Sequence, residues 1–173
     1  RRNAIKANGP QNYPSKWQKA ERKFVLATKS IENKNIQRAE KLNIDASQEF
    51  NLIELWSIKD NVLAKARNQI DLAKEEKADR YAPITLDQAY RFLNTADFEL
   101  TNNRYDIATA NNLTEKSIER SSHAIFLSIL IQNLQDKLLT TEELIIEWET
   151  NLAKIANSAD IYPLVTNGYS SLT

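Results

Sequence analysis

Between Pro83 and Asn102 the core-type residues fall at Leu86, Ala89, Leu93, Ala96 and Leu100, in steps of three, four, three and four. That rhythm keeps them on one face of a helix and predicts an amphipathic α-helix from about Thr85 to Thr101. The same rhythm occurs earlier, at Trp17, Ala20, Phe24, Ala27 and Ile31, and predicts a helix from about Ser15 to Glu32. Displaced by 69 positions, the chain matches itself: Pro14 meets Pro83, Trp17 meets Leu86, Ala20 meets Ala89, Phe24 meets Leu93 and Ala27 meets Ala96. Ile31 then meets Leu100, Ile36 meets Tyr105, Ala39 meets Ala108, Ile44 meets Leu113, and upstream Ala4 meets Ala73. Large and small residues staying in phase over this distance mark a tandem duplication.

Each copy reads as a helical hairpin whose second helix is long. From Asn35 to about Ala78 there is no Pro or Gly, and anchors recur at Ala39, Leu42, Ala46, Phe50, Ile53, Trp56, Leu63, Ala66, Ile70 and Ala73. Unbroken, such a helix spans roughly 65 Å at 1.5 Å per residue; the Asn-Ile-Asp at 43–45 is its candidate break, because Asn and Asp favour caps over helix interiors. The second long helix is expected from near Arg104 to about Leu138, anchored by Ile118, Ile125, Ile129 and Leu134. Pro14 and Pro83 sit where a missing N–H does no harm, and Thr85 with Gln88 has the spacing of a capping box. Asn in the loops 33–35 and 101–104 is expected to supply the left-handed residue that closes a helix without Gly. Thr140 with Glu143 is a further capping box and opens a last helix, Thr141 to about Ser158. The expected organisation is an N-terminal arm (1–14), hairpin one (15–80), hairpin two (81–139), a C-terminal helix (140–158) and a tail (159–173). The fold class is all-α: about five helices in tandem duplicated hairpins, elongated and coiled-coil-like. Alternating large and small residues at Trp17, Ala20, Phe24, Ala27, Leu86, Ala89, Leu93 and Ala96 are the anchors that let two backbones approach.

Composition agrees and removes several functions. The chain has 173 residues, enough for one domain with a core, and only two glycines, Gly9 and Gly168. That excludes Gly-rich phosphate and dinucleotide loops from the interior. There is no Cys, so there are no disulfides, thiol nucleophiles or Cys-held metals. No stretch approaches the ~20 apolar residues of a membrane span; "AIFLSILI" (124–131) is the longest apolar cluster. The start, "RRNAIKANGP", lacks the apolar core of a signal peptide and reads as that of a processed or trimmed chain. The net charge is zero, but residues 1–44 carry 11 Lys and Arg against 3 Asp and Glu, and the remainder balances them. A basic end attracts an anionic surface or an acidic partner. Solvated helix faces are the plainer reading, and without an aromatic-laced basic groove no nucleic-acid role is expected.

Candidate chemistry is sparse. His123 is the sole histidine, and Glu119 lies four residues before it, where helical di-iron sites need Glu-x-x-His on two helices. Glu75–Glu76 and Glu142–Glu143 are sequence neighbours that point about 100° apart on a helix, a poor acid–base dyad. Glu143 and Glu147 share a face that solvation explains. No catalytic, cofactor or metal residue is therefore assigned. Trp17, Trp56, Trp148 and most Phe fall on apolar stripes and are expected in the core. Tyr162, Pro163 and Tyr169 in the tail are candidate partner contacts.

The segment 74–117, with Tyr81-Ala82-Pro83 before the Leu/Ala helix, then Tyr105-Asp106 and an Ala-containing second helix, resembles a helical domain of unknown function in the N-terminal region of OmpA-family envelope proteins. Residues 39–70 look like the linker between two such copies, and the resemblance spans about residues 4–135. Copy one reads Asn-Tyr-Pro at 12–14 in place of Tyr-Ala-Pro. The resemblance implies an exported, periplasmic, outer-membrane-associated helical spacer that contacts envelope proteins or itself. It implies peptidoglycan binding only through a further C-terminal domain, to which 159–173 would be the linker. It supplies no catalytic residues. The alternative reading is a tetratricopeptide-like scaffold gripping a peptide or partner helix, although such arrays use nearly equal helices in units of about 34 residues.

Overall fold

The computed structural model describes residues 1–158. Among them are eight helices and no strand: α1 (Arg2–Lys6), α2 (Gly9–Asn12), α3 (Pro14–Glu32), α4 (Ile36–Glu75), α5 (Ala78–Tyr81), α6 (Pro83–Asn102), α7 (Ile107–Gln135) and α8 (Thr141–Ser158). The all-α class, the duplication frame and the bounds of α8 agree with the sequence reading. Residues 1–14, set apart above as an arm, contain the two short helices α1 and α2, and Ala4 and Gly9 within them are buried.

The duplication extends to backbone detail. Asn8 and Lys77, 69 positions apart, both take left-handed conformations, with φ of 63° and 60°. Each is followed by a single helical turn, α2 or α5, and then by a proline at the start of the longer helix. The residues before those prolines, Tyr13 and Ala82, share φ values of −133° and −134° and ψ values of 58° and 46°, outside the α region that a following proline disfavours. The prolines themselves open α3 and α6, so Thr85 lies inside α6 and caps nothing. The left-handed residues after α3, α4 and α7 are Lys34, Lys77 and Lys137; in the loop 33–35 the lysine takes the conformation expected of Asn, and the loop 101–104 has no left-handed residue. At two of them the cap closes by a bond from the next N–H to the carbonyl five residues back, Asn35 to Ser30 (2.8 Å) and Leu138 to Asn133 (2.9 Å). Those bonds, with the lysine side chains free to point to solvent, offset the steric cost of the left-handed turn.

After the hairpin loops the register changes. The side chain of Asn35 accepts the N–H of Arg38 and that of Asp106 accepts the N–H of Thr109, both at 3.2 Å. These caps start α4 and α7 and lie 71 positions apart, because α6 is one residue longer than α3 and its loop one residue longer again. Ala39 therefore corresponds to Ala110, both buried, and not to the exposed Ala108.

Helix α4 organises the molecule. It runs 40 residues through 43–45 without a break, about 60 Å at 1.5 Å per residue. Its N-terminal half packs on α3 and α1, where Ala46, Phe50 and Ile53 meet Ala20 and Trp17 of α3 and Ala4 of α1. Its C-terminal half is the third member of a bundle with α6 and α7, where Leu63, Ala66, Ile70 and Ala73 meet Leu86, Ala89, Leu93, Ala96 and Leu100. The helix is thus the second arm of hairpin one and the cover of hairpin two.

The buried face of α7 differs from expectation. It consists of Ala110, Thr114, Ser117, Ser121, Ala124 and Ser128, while Ile118 and Ile125 flank the core and Ile129 faces out. Small residues let α7 settle between α4 and α6. Their hydroxyls are satisfied by backbone carbonyls: Ser117 Oγ donates to Ala89 across the helix interface, and Thr114 and Ser121 donate to the carbonyls four residues back, each at 2.8 Å. Ser128 Oγ donates to the Glu76 carbonyl at the end of α4.

Candidate functional site

Two polar clusters on the middle of α4 tie the hairpins together. On one side Glu54, 3% exposed, accepts the Tyr105 hydroxyl at 2.6 Å and lies 3.4 Å from the Arg104 guanidinium. Arg104 also donates to the Asn51 carbonyl at 2.7 Å, and Asn3 of α1 donates to Tyr105 Oη at 3.1 Å. The loop of hairpin two is thereby latched onto α4. The hydrogen bond to Glu54, followed by burial and the carboxylate's charge, pushes the Tyr105 hydroxyl above its ordinary value. A cleft of about 310 Å³ lined by Asn3, Lys6, Glu54, Ile58, Arg104 and Tyr105 lies at this junction. Its one buried carboxylate is already saturated by a tyrosine and an arginine.

On the other side the Tyr13 hydroxyl donates to Asp60, Asp60 pairs with Arg67 (3.2 Å), Arg67 reaches Asp97 (3.7 Å), and Asp97 pairs with Lys59 (2.7 Å). This chain links the α2–α3 junction through α4 to α6. Burial, then the hydrogen bond and charge of Asp60, push the Tyr13 hydroxyl up to about 12. Both clusters hold structure together; neither places a base beside a nucleophile or offers a free polar group to a substrate.

The exposed apolar surface lies elsewhere. In hairpin two, Leu93 and Leu100 are 9% and 0% exposed beneath α4. Their counterparts in hairpin one, Phe24 and Ile31, are 38% and 57% exposed. Upstream on the same stripe, the position equivalent to Ile70 is Arg1, whose guanidinium lies 6.0 Å from the Trp17 ring centroid and 5.8 Å from that of Phe24. Arg1 thus covers the edge of the face with a cation where hairpin two has an aliphatic side chain. Val25, Leu26, Ile36 and Ile44 of the same hairpin are exposed as well. Around them Lys19 and Lys23 pair with Glu49 (3.3 and 2.9 Å) and Lys23 with Asp45 (3.7 Å). Burial raises the Glu49 carboxyl, and the hydrogen bonds from Lys23 and Lys19 outweigh it, so the carboxyl sits below its ordinary value.

A second exposed apolar surface belongs to α8. Its start is built as expected: Thr140 Oγ1 accepts the N–H of Glu143 at 3.2 Å, and Glu143 accepts the N–H and hydroxyl of Thr140, both at 2.8 Å. Leu144, Ile145, Trp148 and Leu152 line an open cleft of about 280 Å³ with Leu130 of α7.

The structure sorts the sequence candidates. Ala20, Ala27, Leu86, Ala89, Leu93 and Ala96 are buried as anchors, Trp17 is half-buried, and Pro14 and Pro83 are exposed helix starts. Placing all the Trp and most Phe in the core is corrected. Trp148 is 62% exposed, Phe24, Phe98 and Phe126 are also exposed, and Phe50 is the buried phenylalanine. The reason is that α8 packs on little besides the end of α7, and hairpin one lacks the cover that hairpin two has. His123 is exposed and stacks on Phe126 with centroids 6.4 Å apart. Tyr162, Pro163 and Tyr169 lie outside the described residues. Among the described residues no group of three His, Asp or Glu could hold a metal, and no helix is long and apolar enough to cross a membrane.

Glu54, Arg104 and the Tyr13–Asp60 pair were missed in the sequence. Glu54 did carry a signal: it is an acid on the buried stripe of Phe50, Ile53 and Ser57. No protein-family model matches the chain, and neither a curated protein nor a solved structure matches it.

Proposed function

We propose that the chain is a helical spacer and interaction module of a cell-envelope protein, working in the periplasm by binding rather than by catalysis. The observation that carries the spacer is α4: one unbroken helix of 40 residues belongs to both repeat units. Hairpin two is fixed to it by an apolar core and two polar latches, so the units cannot hinge without unpacking that core. The interaction part is supported by the exposed apolar face of hairpin one, much of which sits in the basic segment 1–44. The envelope location rests on the resemblance of residues 4–135 to the N-terminal helical region of OmpA-family proteins, a family whose members contact envelope proteins or one another.

The same open face favours the second reading, a scaffold that grips a partner helix, and the two readings differ in shape. Small-angle scattering with a measured mass separates them. A compact chain of this length has a radius of gyration of about 16 Å. The spacer reading expects a clearly larger value and a maximum dimension above about 65 Å. A compact globule would sink the spacer and leave the grip.

A further inference from the structure

The open face of hairpin one has a counterpart whose occupant is visible. In hairpin two the equivalent face is filled by residues 58–75 of α4, an 18-residue amphipathic stretch with Leu63, Ala66, Ile70 and Ala73 inward. In hairpin one α1 (Arg2–Lys6) already stands at the equivalent of 71–75 and Arg1 at that of Ile70, so the part left open matches residues 58–69, a helix of a little over three turns. Helix α8 has 18 residues. It shows solvent a row of large apolar side chains, Ile145, Ile146, Trp148 and Ile155.

Charge separates the two surfaces and makes them complementary. Hairpin one carries Arg22, Lys29, Lys34, Arg38 and Lys41, none of which enters an ion pair among the described residues. Helix α8 carries Glu142, Glu143, Glu147 and Glu149 against Lys154 alone. Within one chain the two surfaces lie at opposite ends of α4. Hairpin one flanks its N-terminal half, while Ser128 of α7 bonds the carbonyl at its C-terminal end and α8 follows beyond.

We infer that α8 of one copy docks into the open face of hairpin one of a second copy, in the position that residues 58–69 of α4 occupy in hairpin two. The contact joins two different surfaces, so it leaves one of each free and repeats head to tail. Apolar burial supplies the adhesion, and opposite charge sets the direction and the rate of encounter. The inference rests on reading the open face as an interaction surface and is independent of the envelope location.

Sedimentation or light-scattering mass over roughly 1–200 µM, a range that brackets micromolar association, tests it with three samples. The unsubstituted chain is expected to grow in mass beyond 19.8 kDa with concentration. Trp148→Ser and Ile31→Ser, both at exposed positions, are each expected to remain monomeric with unchanged circular dichroism, at least tenfold weaker in association. Mixed in equal amounts, they are expected to form one-to-one pairs and stop there, because one supplies an intact face and the other an intact helix. A monomer at every concentration, or an assembly that survives both substitutions, would overturn the inference. So would a mixture that stays monomeric. Scattering from monomeric Trp148→Ser then reads the spacer separately, so failure of the assembly leaves that reading standing or falling on its own data.

Discussion

Hairpin one and hairpin two are built from one pattern and end in different states. In the second, Leu93 and Leu100 are covered by α4 and the loop is latched by Glu54, Arg104 and Tyr105. In the first, the matching Phe24 and Ile31 face solvent, with the Arg1 guanidinium over the Phe24 ring. The stripe of large and small residues is the same in both, so the stripe alone does not decide burial. What decides it is whether a preceding helix lies alongside: α4 provides one for hairpin two, and only the five residues of α1 do so for hairpin one. A repeat of this kind makes each unit's core partly from its predecessor.

Matched truncations break the comparison most sharply. Leu100→Ala removes a fully buried side chain and is expected to cost about 2–5 kcal/mol in urea unfolding. Ile31→Ala, at the equivalent position, is expected to cost less than about 1 kcal/mol. Equal costs would mean that the first face is covered in solution.

The next test exchanges a packing detail between the units. A methyl group on Gly9 would lie 2.6 Å from Ile53 Cγ2 and 2.7 Å from the Ala4 carbonyl oxygen. The corresponding pair in the second unit is Ala78 and Ala124, both fully buried. Volume has been redistributed, Gly with Ile in one unit and Ala with Ala in the other. Gly9→Ala is expected to destabilise by about 1–3 kcal/mol through overpacking. Added to Ile53→Ala it is expected to cost less than the sum of the two single changes. Strict additivity would show that the close approach is not felt.

A smaller effect is expected at Ser57, whose hydroxyl is fully buried without a hydrogen-bond partner, whereas Ser128, its counterpart in α7, reaches the Glu76 carbonyl. Ser57→Ala should be neutral or stabilising by up to about 1 kcal/mol, and Ser128→Ala should destabilise by a similar amount. Thermal unfolding of the two variants reads the sign.

The smallest effects depend on pH. The folded Glu49 carboxyl is below its ordinary value, so its contribution is present above that value and fades as pH falls through the folded one. Tyr13 behaves in the opposite sense. Its folded value is raised from 10.0 to about 12, so its contribution is complete below pH 10.0 and is lost as pH rises through about 12. Glu49→Gln should therefore flatten the acid side of a stability–pH curve for hairpin one. Tyr13→Phe should flatten the alkaline side. A Tyr13→Phe curve that runs parallel to the parent above pH 10.0 would remove Tyr13 from the account.

Much of this architecture was legible in the chain. The three-four rhythm located α3 and α6, the absence of Pro and Gly gave α4 its length, and the Thr140–Glu143 spacing gave the start of α8. What was not legible depends on neighbours. Ile118, Ile125 and Ile129 read as the anchors of α7, and the small face of Ser117, Ser121 and Ser128 did not, because a sequence does not show that a backbone carbonyl will lie within 3 Å of each hydroxyl. Trp148 and Phe24 read as core because amphipathicity reports a face that wants cover and not whether cover arrives. The left-handed lysines were hidden because the backbone bonds of the cap, not the side chain, select that conformation. Asn43 and Asp45 suggested a break that packing against α3 overrides, with Asp45 3.7 Å from Lys23.

The central claim is that α4 is one rigid helix shared by two unequal units. The chain has no cysteine, so spin labels can be placed by cysteine substitution at the exposed positions Lys41 and Asp71 alone. Pulsed dipolar spectroscopy on that pair should give a single narrow distribution near 45 Å, 30 residues at 1.5 Å each within the scatter of about a linker length. A broad distribution, or one centred well below that distance, would mean that α4 bends or breaks between the hairpins and would contradict the account.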